Sequence, residues 1–302
     1  MRMGQSHIRK SLGDRNFLIV NFCLLTLFFV ILFYPLLYVV IASFSGNAIT
    51  ISIMPLPQRI SMVGYEAVFE YPLIGVGYRN SLLYVATGTA VSLAVTICCA
   101  YPLSRRDFKG GPWIMGLCVF TMYFSGGLIP LYLLIRNLGM LDTIWSLILP
   151  GSLSVFNMIV MRTYFKTQIP EDLFESSKLD GCGDFRYLVR IVLPLSGPII
   201  AVISLYVAVG QWNSYFGPMI FLSTRSKMPL SVFLREILVL NQTESGQGTN
   251  VMINADQMAA LERRKQVMKY SLIIVSSVPV MVLYPFVQKF FVKGVMVGAV
   301  KG

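Results

Sequence analysis

The chain has 302 residues, 55% of them hydrophobic and 13% charged, with mean hydropathy +0.68. Soluble domains carry about 25% charged residues, so this composition excludes a water-soluble globular protein and defines an integral membrane one. The net charge of +11 requires no nucleic acid, because basic loops beside anionic lipid account for it.

Six stretches lack Asp, Glu, Lys and Arg: 17–58, 80–104, 110–135, 143–161, 191–224 and 270–288. A helix crossing a ~30 Å hydrocarbon core needs roughly 20 apolar residues. The expected spans are therefore 17–43, 80–104, 112–135, 142–161, 190–216 and 270–291. The fold class is an all-α membrane protein with six transmembrane helices. The first apolar stretch follows a basic start, as a signal peptide would, but is too long for one and lacks a small-residue cleavage site. It reads as an uncleaved helix.

Orientation follows the placement of Lys and Arg. With the N-terminus inside, fifteen of these residues face the cytoplasm and ten face out. Seven of the outer ten lie in one long segment, 225–269, and long loops count little in this rule. Both termini are expected to be cytoplasmic. Cys23, Cys98, Cys99, Cys118 and Cys182 show no pairing pattern, and four of them sit in apolar spans, so disulfide and metal roles are not expected.

The chain reads as a cytoplasmic segment 1–16, a membrane domain 17–293 and a cytoplasmic tail 294–302. Outer segment 44–79 holds Pro55, Pro57 and Pro72 and is expected to be irregular. In segment 225–269, the polar run 241–250 reads as a flexible loop. Asn254 and Gln257 then form a capping-box start, and an unbroken pattern through Met258, Leu261 and Met268 predicts one long helix entering the sixth span. Its basic residues Arg263, Arg264, Lys265 and Lys269 read as a solvated face, with a preference for acidic solutes the alternative reading.

Between spans four and five lies a polar loop, 162–190, with ten charges in 29 residues. Pro170 suits a helix start, Glu171 and Asp172 suit its positive end, and Gly181 suits its stop. The spacing predicts a helix over 170–180, and Asp184 caps a second over 185–192 that ends against Pro194. Leu173, Phe174 and Ser177 share one face at helical spacing, expected to be offered to a partner. An amphipathic helix lying on the membrane is the alternative reading.

No span interior holds an ionisable acid or base of the kind a proton-coupled carrier needs. The chain has no Gly-Lys dipeptide, which excludes a phosphate-binding P-loop. No His/Asp/Glu cluster supports a membrane enzyme. Active transport would need energy from another chain. For a substrate path, the polar-aromatic run Gln211, Trp212, Asn213 and Tyr215 offers ring faces for stacking and amides for hydroxyl groups. The alternative is anchoring of Trp and Tyr at the interface. Asn157 in span four is a second candidate, or a helix–helix hydrogen bond.

The middle loop resembles the EAA loop of ABC importer permeases. It matches at Glu175, Gly181, Ile191, Leu193 and Pro194, with Asp180 before the glycine; Ser176 and Ser177 replace the two alanines. Asn80-Ser81-Leu82, the run from Ile129-Pro130 through Asn137-Leu138-Gly139-Met140 to Leu149-Pro150, and the tail from Gln288 are similar to carbohydrate permeases of the maltose-transporter G-subunit type, in the branch handling complex oligosaccharides. The resemblance covers roughly residues 60–302.

It implies a type I ABC importer permease in the bacterial cytoplasmic membrane. The implied partners are two ATP-binding subunits carrying ATP and Mg, a second homologous permease, an extracytoplasmic solute-binding protein and an oligosaccharide. This chain would hold no cofactor and have no ATPase site of its own. The resemblance gives ATPase coupling to Leu173, Phe174, Glu175, Ser176, Ser177, Asp180 and Gly181, and ATPase contact to the tail. A peptide or amino-acid importer permease, or a secondary carrier, is the competing reading.

Overall fold

The computed structural model describes residues 12–45, 60–240, 267–285 and 288. Among these the chain is helical, with one isolated bridge between Ser45 and Ile60 and no strand. The loop 241–250, the capping-box start at Asn254, most of the N-terminal segment and the tail 294–302 lie outside the described residues.

The chain divides into two compact units. The first holds α1 (Leu12–Ser43), residues 60–68 with most of α2 (Val63–Glu70), and the first half of α13 (Val267–Pro285). Its side chains from Phe17 to Leu37 are largely exposed apolar surface of the kind a bilayer covers. At the end of α1, Ser43 Oγ lies 2.8 Å from Tyr65 Oη. Ser271 Oγ donates to Ser43 O at 3.1 Å, and Tyr38 meets Tyr270 edge-on at 6.0 Å.

The second unit is organised on α3 (Pro72–Ser104), whose 33 residues span about 50 Å. Tyr84, Gly88, Ser92, Thr96 and Ala100 are buried along it, recurring every four residues. Small side chains at that spacing let neighbouring helices approach closely. α3 packs there against α7 (Val155–Gln168) and α10 (Gly197–Asn213). One core gathers the ends of these helices: Ala100, Tyr101, Met158, Met161, Phe165, Phe174, Tyr187, Val192 and Ile203.

The structure corrects the spans expected at 112–135, 142–161 and 190–216. The first of these breaks into α4 (Gly111–Tyr123) and α5 (Leu128–Asn137), bent by 113°. Ser125, Gly126 and Gly127 lie at the break, and Gly127 has φ +84°, a value that favours glycine. The second starts as a single turn, α6 (Trp145–Ile148), stops around Pro150 and Gly151, and resumes as α7. That helix runs through Arg162 and Lys166 to Gln168, well past the expected end.

The third begins earlier, as α9 (Asp184–Leu195), and bends by 82° into α10. The helix expected to stop against Pro194 instead absorbs it. A π turn at Leu188–Val192, with Leu193 N–H donating to Leu188 O, opens the ladder just before the proline ring needs room. Three described helices are long and apolar enough to cross a membrane, or five if each bent pair is one span.

Candidate functional site

The polar loop folds into α8 (Glu171–Leu179) followed by α9. Pro170 is the N-cap, so its ring stands just outside the helix. Glu171 and Asp172 occupy the first turn and Lys178 the last, each complementing the helix dipole. At the C-terminus Gly181 has φ +73°. Gly181 N–H donates to Lys178 O at 3.0 Å and Cys182 N–H to Ser177 O at 2.9 Å. These two bonds make a Schellman cap, which satisfies the last carbonyls and turns the chain sharply.

The inner face of α8 is fastened to the end of α3. Phe174 is buried, edge-on to Tyr187 at 5.2 Å, with the Arg105 guanidinium 3.2 Å from its ring centroid. Lys178 Nζ lies 4.3 Å from the same centroid. Arg106 pairs with Glu171 at 2.8 Å and Lys178 with Asp107 at 3.8 Å. Both ion pairs are exposed and worth at most about 1 kcal/mol each. The buried ring and its cation contribute more of the hold.

This geometry corrects the expectation that Phe174 and Ser177 share a partner-facing side with Leu173. Both point inward at 5% and 6% exposure, while Leu173 stands at 39%. The physical reason is the bend at Gly181, which folds α9 and Tyr187 against that face. Ser177 Oγ donates to Phe174 O at 2.8 Å and Ser176 Oγ to Asp172 O at 2.9 Å. Each hydroxyl is thus satisfied within its own helix, and both residues act as small ones. The outward face carries Glu175, Ser176 and Asp180, all exposed. Two apolar side chains that sequence reasoning missed join them: Leu179 at 90% exposure and Phe185 at 79%.

At the other end of α3, one carboxylate ties the loop before α6 to residues 223–227. Asp142 accepts from Ser223 N–H and Thr224 N–H at 3.0 Å, Thr224 Oγ1 at 2.7 Å and Lys227 Nζ at 2.7 Å. Its own N–H donates to Phe221 O at 2.8 Å. Lys227 and Thr224 together hold its carboxyl well below the usual carboxylate range, since every bond favours the ionised form. Asn80 Nδ2 donates to Ser226 O and Met228 O, Tyr84 Oη donates to Lys227 O, and Ser81 Oγ accepts from Leu230 N–H. The Asn-Ser pair at 80–81 thus anchors residues 226–230. The signal for Asp142 was present: with Arg136 it is one of two charges in residues 110–161.

The candidate substrate-path residues are only partly brought together. Trp212, Asn213 and Tyr215, the last at the N-cap of α11 (Phe216–Phe221), line one open cavity of about 600 Å³ between the ends of α10, α12 (Leu230–Arg235) and the second half of α13. Trp212 is largely buried, donates Nε1–H to Ser276 O at 3.1 Å and meets Tyr78 edge-on at 5.6 Å. Gln211 turns away, against Gly88, into a separate cavity of about 80 Å³. Ligand pockets measure about 300–1,000 Å³, so only the larger fits a sugar ring. Asn157 joins neither cavity; it is buried in the first turn of α7, where its N–H meets Ser154 Oγ at 3.4 Å.

A helical membrane protein with long apolar spans and a bounded helix–turn–helix in its central polar loop has the features of a transport permease. Comparison with known proteins sharpens that class. No protein-family model matches the chain. The chain is 37% identical to Protein LplC of Bacillus subtilis over 89% of each sequence. It is also 37% identical to the polygalacturonan/rhamnogalacturonan transport system permease protein YtcP of the same organism, over 96% of this chain and 99% of that one. Its backbone matches a crystal structure of a bacterial ABC transporter involved in import of the acidic polysaccharide alginate, with TM-score 0.81, 32% identity, and 93% and 99% coverage. The chain belongs to the ABC transporter permease family of carbohydrate-uptake systems. It is an integral protein of the bacterial cytoplasmic membrane.

Proposed function

We propose that this chain is one of two homologous permease subunits of a binding-protein-dependent importer that carries an oligosaccharide inward. The permeases it is most usefully compared with are described as serving polygalacturonan and rhamnogalacturonan transport and alginate import, which supports a complex oligosaccharide as cargo. The single observation that carries the mechanism is the hold on α8. Its inner face is fastened to α3 through Phe174 and Arg105, while its outer face is free to be gripped.

On this reading two ATPase subunits, which carry ATP and Mg, seat the outer face of α8 in a groove. Glu175, Ser176, Asp180, Leu179 and Phe185 make the contact, with Leu173 at its margin. Phe174 and Ser177 act from behind as positioning residues, and Gly181 sets the bend. Closure of the ATPases moves α8 as a unit. α3 is displaced with it, because the joint is a packed aromatic core rather than a loose tether. Six spans with both termini in the cytoplasm, a membrane domain 17–293 and a tail 294–302 reaching the ATPases complete the proposal; the Lys and Arg distribution supports that orientation.

The test is reconstitution of the chain with its second permease and ATPases in vesicles. A sugar-loaded solute-binding protein is expected to raise ATP hydrolysis severalfold. If no oligosaccharide, neutral or acidic, stimulates it, the reading is wrong.

A further inference from the structure

The larger cavity holds a side chain that the transport mechanism does not use. Arg235, at the end of α12, projects into the space lined by Trp212, Asn213, Tyr215 and Ser277. Its guanidinium carbon lies 5.4 Å from the Tyr215 ring centroid, and Nη1 touches Met219 Sδ at 2.6 Å. Among the described residues, no Asp or Glu lines the cavity. The adjacent Glu236 is already engaged by Arg225 at 2.7 Å. Among the described residues, no carboxylate pairs with Arg235.

The remaining polar groups are arranged for a ligand with several hydroxyls. Asn213 spends Nδ2 on Val209 O at 3.0 Å, which leaves its amide oxygen directed to accept. Trp212 is held rigidly by its bond to Ser276. Tyr215 is 45% exposed, so its ring can pack on the apolar face of a sugar. A guanidinium within reach of an aromatic face is attracted to it, and its fork matches a carboxylate in two parallel hydrogen bonds.

We propose that this cavity is a subsite for one anionic sugar residue of the cargo, a uronate, with Arg235 binding its carboxylate. The inference rests on the reading of the chain as an oligosaccharide permease and adds the charge class of the cargo and the residue that reads it. A neutral sugar in the same place leaves the guanidinium without its anionic partner, so the site discriminates by charge.

The test uses the assembled transporter in vesicles with its binding protein. Uptake of trigalacturonate and trimannuronate is compared with that of the same trisaccharides after chemical reduction of their carboxyl groups. The wild-type complex is expected to prefer the acidic forms at least tenfold. Arg235→Gln is expected to lower that preference at least fivefold, mainly through the half-saturating concentration, with no change in the affinity of the binding protein for either sugar. Arg235→Lys keeps the charge without the fork and is expected to fall between the two; it decides the matter if the Gln variant does not assemble. Equal uptake of acidic and neutral forms by the wild type overturns the subsite while leaving the oligosaccharide reading intact. An unchanged preference in Arg235→Gln, or in Arg235→Lys where that variant decides, also overturns it. Failure of every sugar to stimulate ATP hydrolysis removes the underlying reading instead.

Discussion

The Arg105 guanidinium lies 3.2 Å from the centroid of the Phe174 ring, closing a cation–aromatic contact between the C-cap of α3 and the middle of α8. Residues 105 and 174 are far apart in sequence. Through this pair α8 is joined directly to the end of α3, the longest of the described helices.

Phe174→Ala should therefore damage both stability and coupling. Truncating a buried Phe costs about 3–5 kcal/mol. Phe174→Leu keeps most of the packing and loses the ring's attraction for Arg105, about 0.5–2 kcal/mol. In reconstituted complexes the expected order of ATPase stimulation is wild type, then Leu, then Ala. Equal stimulation in all three would show that α8 moves independently of α3.

Gly181 tests conformation without contact. No atom lies within 4 Å of where its Cβ would stand, yet φ is +73°. Gly181→Asn is expected to be tolerated, because Asn visits that region. Gly181→Val should cost about 1–2 kcal/mol and open the Schellman cap, since a β-branched residue at positive φ is an outlier. Thermal unfolding of the purified complex, alongside sugar-dependent ATP hydrolysis, separates the two variants.

Leu179→Asp and Phe185→Asp probe the outward face. Both side chains are almost wholly exposed, and exposed substitutions usually change stability by less than about 0.5 kcal/mol. The permease alone should melt as the wild type does. Co-purification of the ATPase subunits should drop sharply. Normal co-purification of both variants would place the docking surface elsewhere.

Asp142 gives a pH dependence of fixed sign. Its carboxyl is held well below the ordinary 3.8 by Lys227 and Thr224. A group with a depressed native pKa stabilises the fold above its unfolded value and loses that contribution as pH falls. The anchoring of residues 223–227 is thus complete at neutral pH and weakens only as pH drops from about 4 towards the depressed native value. Asp142→Asn should lower the melting temperature at pH 7 and flatten the acid limb of the stability profile between pH 5 and the lowest pH the wild type withstands.

Much of α8 was legible in advance. Pro170, Glu171, Asp172 and Gly181 are local signals, and each sits in the structure within a residue of where its chemistry belongs. The face of α8 was misjudged because a helical wheel says which residues share a side and not which side the rest of the protein covers. Leu179 and Phe185 were overlooked for the same reason. The broken span at Ser125-Gly126-Gly127 had a local signal that a count of uncharged residues passes over. Asn80 and Ser81 stood out by resemblance, but their partners lie nearly 150 residues away.

The sequence by itself determined that this chain lives in a membrane, that its middle loop is a bounded helix and bend, and that it holds no P-loop. These depend on composition, short-range capping and the absence of a motif, all of which act within a few residues. The tertiary structure decided that Phe174 faces Arg105, that Asp142 ties residues 221–227 to the start of α6, and that Arg235 joins Trp212 and Tyr215 around one cavity. Each of those pairings depends on which distant helices pack together, and packing is settled by the shapes of whole faces rather than by any local pattern.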